Sequence, residues 1–521
     1  MHYPLSLRVS GILLYLLPSL SLARPDAHQA ARMERRHRNV TVQQTATTSA
    51  SPMDSTGSVT VLGSAVGSSS VATSGGTSSA RASSTSGKAT TSSSSNSASG
   101  RKVFAHVVMG NWQSYTSSDW EADITLAKSA NIDAFALNVG HDASDPTQLA
   151  LAYSAAESVG GFKLFISLDM SYASLFGSSD QIIAEYIAPF AGRSGQFLYN
   201  GKPLLSTFSG ESGANLLEGN ADINAAWSTL KSKASAQGFN IFFMPFWTGL
   251  DGNTAVSSHP VVDGIGQWLA WPTGNTSPST DIDASFQNDA LKNNKVFCAP
   301  VSPWFHVHEV SGNNYIYKSD EHLIVTRYQQ LLAMDHVPDL IEILTWNDYG
   351  ESHYIGPVRA SAGLPGGTVS SSTYVSEAPH SDIIGLISIL NLYYKSGSWP
   401  SIGQTQAYYW YRQHPKGATA TSDPLGLPKN SDWTDDTVYI AVVVAPGSKA
   451  TSLVITLGGT TTTKPITAGN VNLVKAPLSV GTPVFSFLDS SSTVLAAQSG
   501  SAITGSSEFY SFNYVAGVLN L

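Results

Sequence analysis

Leu340-Ile341-Glu342-Ile343-Leu344 runs into Thr345-Trp346-Asn347-Asp348-Tyr349-Gly350-Glu351-Ser352-His353-Tyr354-Ile355-Gly356. The first five residues have the length and branching of a buried β-strand. Where the apolar run stops, two carboxylates appear three residues apart, Asp348 and Glu351, among Trp346, Asn347, Tyr349 and His353. Gly350 lets the backbone turn between the acids. Acids beside aromatic rings at a strand end suit a site that stacks sugars and moves protons, and loops are where a scaffold usually presents its chemistry.

Working outward, the run at 340–345 is the eighth of a series. Apolar strands are expected at 103–109, 134–139, 163–168, 203–208, 241–246, 261–268 and 296–301. Helical spacing follows most of them, at 119–130, 146–159, 181–190, 220–236, 284–292, 320–334 and, after the eighth, 382–394. Only the fifth strand lacks a clear helix. Eight such units predict an α/β fold, a (β/α)8 TIM barrel over residues 101–397. Beyond residue 398 the pattern becomes short Val-, Thr- and aromatic-rich runs at 438–444, 452–457, 471–474, 484–488, 494–497 and 509–514, separated by Gly, Ser and Pro. They predict an all-β, sandwich-like accessory domain over 398–521 that buttresses the barrel or binds polysaccharide.

A barrel places its active site at the carboxyl ends of its strands. Polar and aromatic residues recur at those ends, including Asn138, Asp169, Glu211, Trp247, Trp268, Trp271, Trp304, His306 and His308, and culminate in the loop after the eighth strand. Cleavage of a glycosidic acetal needs one carboxylic acid to protonate the leaving oxygen and a second carboxylate on the opposite side of the sugar. Asp348 and Glu351 supply the pair, with Asp169 a third candidate. In a bent loop, positions three apart place carboxyl groups anywhere from about 5 to 10 Å apart, so spacing leaves inversion and retention both open. His306 and His308 alternate beside Glu309, but no third ligand stands out, so sugar contact or loop packing is favoured over a metal. No Gly-rich phosphate loop and no serine-hydrolase elbow is present.

Composition narrows the class. Only 12% of the residues are charged, the net charge is -9, and no basic stripe suggests nucleic acid. Arg8, the apolar segment 12–17 and Ser21-Leu22-Ala23 form a secretory layout, so residues 1–23 are expected to be a signal peptide. That segment is too short to span a bilayer, no later stretch reaches about 20 apolar residues, and no membrane association is expected. Residues 24–100 read as a pro-segment, with Arg35-Arg36 a possible processing site, and a Ser/Thr-rich disordered spacer. Sequons at Asn39 and Asn275 suit an extracellular chain. The single cysteine, Cys298, excludes an internal disulfide and reads as a buried, inert thiol.

Several stretches resemble the fungal α-1,3-glucanases, or mutanases, of glycoside hydrolase family 71. They are Phe104-Ala105-His106-Val107-Val108-Met109-Gly110-Asn111, Ala134-Phe135-Ala136-Leu137-Asn138, Phe165-Ile166-Ser167-Leu168-Asp169-Met170 and Trp346-Asn347-Asp348-Tyr349-Gly350-Glu351-Ser352. The resemblance covers roughly 102–394, and the β-rich C-terminal region is similar to that of secreted members. It implies an enzyme that needs no metal or organic cofactor and cleaves α-1,3-glucan internally with inversion, using Glu351 as general acid and Asp348 as base; the chain is expected to be secreted and monomeric. His106, Asn138, Asp169, Trp268, Trp304, Trp346, Asn347, Tyr349 and His353 would line the sugar subsites. Two alternatives stand beside it: a glycoside hydrolase of another linkage, such as an endo-α-mannosidase-like enzyme, and a wall-binding protein without turnover.

Overall fold

The computed structural model describes residues 100–521 apart from 213–216, 221, 311 and 365–368. The expected signal peptide, the pro-segment and spacer, and the Asn39 sequon lie outside the described residues.

The first half of the structure is a curled, mainly parallel sheet with helices on its outer face. Its principal strands are β1 (Lys102–Val108), β2 (Ala134–Val139), β3 (Lys163–Asp169), β4 (Lys202–Phe208), β5 (Phe242–Phe243), β6 (Gly264–Gly266), β7 (Val296–Val301) and β8 (Leu340–Ile343). In space β4, β3, β2, β1, β8, β7 and β6 are successive neighbours, and β5 pairs with β4. First and eighth strands are joined in register from Lys102↔Leu340 to Ala105↔Ile343.

The period-two pleat sorts side chains onto two faces. Phe104, Ala134, Ala136, Phe165, Leu204, Phe208, Cys298 and Leu340 pack together inside the curl. Alternate residues of the same strands, such as Val103, Ala105, Phe135, Leu137, Ile166, Leu205 and Ile341, pack outward. They meet the apolar faces of α1 (Ser117–Ser129), α2 (Asp145–Val159), α3 (Ile223–Ala236), α4 (Asp281–Lys292), α5 (Leu323–Leu332) and α6 (Ile384–Ser396). Local signals start and stop the helices. Thr116 and Asp119 form a reciprocal capping box on α1, and α6 ends at Gly397 in the left-handed region, φ 74°.

Three expected elements differ. The fifth and sixth strands shrink to two and three residues. Beyond β5, Phe246 bridges Phe208 on one side and Gly266 on the other, and Asp263 N–H and Gly266 N–H donate to Phe243 O and Pro245 O. The expected helix at 181–190 is one α-turn, Ser179–Ile182, running into a π-turn, Ile183–Ile187.

The C-terminal region forms two antiparallel four-stranded sheets. One has the order β13 (Asn472–Pro477), β10 (Thr437–Val443), β9 (Gln406–Arg412), β16 (Tyr514–Asn520). The other has the order β12 (Thr460–Pro465), β11 (Ser452–Leu457), β14 (Val484–Leu488), β15 (Val494–Ser499). The expected strand at 509–514 is not one; the strand begins at Tyr514. Ala407, Tyr409, Tyr411, Ile440 and Val442 pack against Leu453, Ile455, Phe485 and Phe487 of the second sheet. The opposite face of the first sheet, with Tyr408, Trp410, Tyr439, Ala441 and Tyr514, joins the core outside the curled sheet. Buried polar contacts tie the two parts as well. Tyr439 donates to Asp320 at 2.6 Å, and His308 Nε2 lies 2.6 Å from Asp423 Oδ2. The first sheet is therefore sandwiched between the second sheet and the α/β part, which is the geometry of a buttress.

Candidate active site

The loop after β8 is held by its own backbone and by three neighbouring elements. Trp346 N–H donates to His106 O on β1, and Thr345 N–H donates to His353 O across the loop. Asn347 copies a strand edge: its Oδ1 accepts from Val108 N–H at 2.7 Å, and its Nδ2 donates to Val108 O at 3.0 Å. Trp304 Nε1 donates to Ser352 O at 2.7 Å, Tyr374 OH donates to Gly350 O at 2.8 Å, and His306 N–H donates to Glu351 O. Ser352 takes a positive φ of 60°, which turns the chain back beneath the acids.

Inside this frame the two carboxylates converge. Asp348 is 5% exposed and Glu351 1% exposed, so both sit in a largely desolvated site. One ligating atom from each of Asp348, Glu351 and His353 falls within 4.8 Å of the others. His353 Nε2 is 2.5 Å from Glu351 Oε2, and its Nδ1 is 3.2 Å from Thr345 Oγ1. Thr345 Oγ1 also accepts from Asp348 N–H at 2.7 Å, and Glu351 N–H donates to Asp348 Oδ1 at 3.3 Å. One connected network thus runs from Glu351 through His353 and Thr345 to Asp348. Trp271 and Phe305 place their rings 5.3 and 5.6 Å from the His353 ring. The Tyr317 hydroxyl is held well above its ordinary value, chiefly by burial and partly by the Tyr315 and Glu351 charges.

The match to family 71 extends over residues 99–520. The chain belongs to glycosyl hydrolase family 71. A glucan endo-1,3-alpha-glucosidase of Schizosaccharomyces pombe is 39% identical over 423 residues, covering 80% of this chain and 95% of the relative. A mutanase of Penicillium rubens is 34% identical over 80% of this chain and 88% of its own length. An ascus wall endo-1,3-alpha-glucanase of Schizosaccharomyces pombe is 33% identical over 80% of this chain and 96% of its own length. The protein is thus a glycoside hydrolase, and family 71 spans its C-terminal sheets as well as its α/β part.

In this family 71 chain the other sequence-chosen residues fall into two groups. His106, Asn138, Asp169 and Trp268 lie on or beside the inner face of the curl. Trp268 stands edge-on to His106, centroids 4.9 Å apart, and against Phe208 at 4.8 Å. Asp169 Oδ1 accepts from Ser171 N–H at 3.2 Å and caps the turn after β3. Asn138 is fully buried, and neither its amide nitrogen nor its oxygen has a hydrogen-bond partner among the described residues. The Ser206 hydroxyl on β4 is in the same condition.

The second group supports the loop from behind. Trp346 is fully buried against Phe135, and its Nε1 donates to Asp123 Oδ1 at 3.1 Å. Asp123 is in turn ion-paired to Arg359, and burial raises its carboxyl while Arg359 opposes that rise. Gly356 is required here, because a Cβ would lie 2.5 Å from the Trp346 indole nitrogen. Trp304 stacks on Tyr514 and meets His380 edge-on. The Tyr349 hydroxyl accepts from Trp112 Nε1 at 3.3 Å. Trp304, Trp346, Asn347 and Tyr349 have no exposed surface, and their polar atoms are spent on holding the loop.

Sequence reasoning passed over Glu342. It lies inside the strand read as wholly apolar, is 1% exposed, and has Oε1 2.7 Å from His106 Nδ1. Burial pushes its carboxyl up to about 8. A lone acid within a β-branched run is the signal that could have marked it. His306 and His308 belong to the seam with the C-terminal sheets, facing Phe512, Tyr374 and Asp423. Among the described residues the metal-compatible cluster is Asp348, Glu351 and His353. Cys298 is buried, and its thiol is pushed well up by burial and by Glu342. Asn275 is exposed, with Lys318 Nζ 2.9 Å from its Oδ1.

Proposed function

We propose that this chain is a secreted endo-α-1,3-glucanase in which Glu351 protonates the leaving glycosidic oxygen and Asp348 activates water. The observation that carries the reading is the convergence of Asp348 and Glu351 in one desolvated loop of a family 71 chain. The relatives' names supply the substrate, α-1,3-glucan, and one of them is named for the ascus wall. Secretion is supported by the N-terminal layout and the exposed Asn275 sequon. No helix among the described residues is long and apolar enough to cross a membrane. The chain acts as a monomer and without a metal or organic cofactor in this reading. A closed eight-stranded barrel is the architecture proposed for the α/β part, supported by the β1–β8 pairing and the two Phe246 bridges.

The chemistry follows from the surroundings. Desolvation favours the neutral form of a carboxylic acid, and a carboxylate accepting an N–H bond is favoured in its charged form. Glu351 can share its proton with His353 at 2.5 Å and deliver it to a leaving oxygen. Positive charge growing on the ring carbon is stabilised by the other acid of the pair.

A second reading is retention, and one distance favours it. Oxygens within 4.8 Å leave less room for an intervening water than the roughly 6.5–9.5 Å between carboxyls of inverting pairs. Inversion in this site therefore requires one carboxylate to swing away from the other when sugar binds. Proton NMR of the first products from α-1,3-glucan decides: β-anomer establishes inversion, and α-anomer establishes retention through a nucleophile. No sugar released would overturn the glucanase reading.

A further inference from the structure

The Glu342–His106 pair lies below the acids and is used by none of the steps above. Both side chains project into the curl, since Phe104 and Leu340, two residues away on the same strands, belong to the inner cluster. Each is 1% exposed, and Nδ1 of the ring faces Oε1 of the acid at 2.7 Å. The ring is gripped on a second side by Trp268, edge-on at 84°. His106 is also anchored through its carbonyl, which accepts from Trp346 N–H at the start of the catalytic loop.

We propose that Glu342 is a positioning residue that fixes His106 with a hydrogen on Nε2, making the ring a hydrogen-bond donor to a hydroxyl of the bound glucosyl unit. The proposal rests on the glucanase reading for the identity of that unit. Proton counting supplies the reason. With the pair electrically neutral, either the acid donates to Nδ1 and the ring hydrogen sits on Nε2, or the ring is an imidazolium with hydrogens on both nitrogens. Nε2 is a donor in both cases. It turns acceptor if the pair loses that proton, which leaves a net negative charge in a dry interior that burial opposes. It also does so if the acid's hydrogen sits on Oε2 while Nδ1–H donates to Oε1, and that leaves the Oε2 hydroxyl buried with no partner among the described residues.

The surroundings point the same way. The Cys298 thiol on β7 is close enough to the pair to feel the Glu342 charge, and Asp169 ends β3 on the same inner face. Among the described residues no lysine or arginine forms an ion pair with Glu342 to favour its charged form. Asn138, on the strand next to His106 and one pleat closer to the mouth, has a buried amide without a hydrogen-bond partner. The Ser206 hydroxyl across the floor is likewise unpartnered. Buried polar groups of this kind are matched by a polyhydroxylated ligand.

The test uses the whole enzyme and α-1,3-glucan oligosaccharides. Glu342→Gln keeps the shape but frees the ring, because an amide can donate to Nδ1 or accept from it. Loss of the fixed donor is expected to lower kcat about 10- to 100-fold, with KM changed less than kcat and the alkaline limb of the pH profile displaced. His106→Ala combined with Glu342→Gln is expected to be no slower than His106→Ala alone, since the acid acts through the ring. An unchanged kcat and pH profile in Glu342→Gln, or additive losses in the double variant, overturns the proposal. Nitrogen-15 NMR of wild-type His106 tests the pair without a variant and without turnover. A hydrogen on Nε2 near neutral pH supports the proposal, and a bare Nε2 overturns it. Wild type that leaves α-1,3-glucan intact counts against the glucanase reading, whereas the ring tautomer still reports on the pair.

Discussion

Around β8 the sheet is continuous: β1, β7 and β8 are paired over four or more residues, and the loop that follows is bonded to β1, to Trp304 and to Tyr374. Around β5 and β6 it is sparse, two short strands joined by the Phe246 bridge and by two backbone hydrogen bonds, to Phe243 O and Pro245 O. Phe246 reaches Gly266 so closely that a Cβ there would lie 2.5 Å from its ring. The proposed catalytic acids sit on the continuous side. Two acids proposed to act together need a backbone fixed from several directions, whereas the sparse side contributes the Trp268 ring against His106.

The comparison breaks most visibly at the acids. Asp348→Asn and Glu351→Gln are each expected to cut kcat on α-1,3-glucan by about 10²- to 10⁴-fold, with the circular dichroism and melting curve retained. Reducing-end release by the purified variants measures it. Activity within a few-fold of wild type for both would remove the catalytic role from this loop.

Next comes the backing of the loop. Trp346→Ala is expected to cost about 3–5 kcal/mol as a truncated buried aromatic. Trp346→Phe isolates the indole bond to Asp123 and is expected to cost about 1–3 kcal/mol. Urea unfolding gives both values. If Trp346 instead served as a sugar platform, Trp346→Phe would raise KM and leave stability alone.

On the sparse side, Gly266→Ala pushes a methyl into the Phe246 ring and is expected to cost about 1–3 kcal/mol. Neither proposed acid is anchored there, and Trp268 links this side to His106, so kcat is expected to change within a few-fold while the melting temperature falls. A parallel loss of kcat would show that the two sides are coupled.

The strand rhythm was legible because the inner and outer faces are both apolar, giving runs such as Ala134–Val139 that stand out from their flanks. The weak strands β5 and β6 were overextended for the same reason: apolar residues at 261–268 pack as irregular chain as readily as in a strand. The run Gln406–Arg412, with Tyr408, Tyr409, Trp410 and Tyr411, is central to the C-terminal sheets and yet was passed over. Its side chains are apolar on both faces, so it lacks the polar-apolar alternation of a half-exposed strand. Trp346 read as a sugar contact because the partners that bury it, Asp123 and Phe135, lie more than 200 positions away in the chain. Glu342 was hidden by its neighbours in sequence, since what makes it unusual is His106 on another strand.

The smallest expected effect is a pH dependence of stability. The Glu342 carboxyl is raised by burial from its ordinary 4.5 to about 8, so the folded state holds this proton more tightly than the unfolded chain. The associated stability is fully present below about 4.5 and is lost as pH rises through about 8. Glu342→Gln has no such proton. Relative to this variant, wild type is expected to lose stability steadily between pH 4.5 and 8, by an amount that His106 reduces because a ring at 2.7 Å partly offsets the charge. Urea unfolding of both proteins at the two pH values measures the difference. A difference that stays flat would mean that the pair holds its proton no more tightly folded than unfolded; a widening gap would show that the folded pair retains it as pH rises.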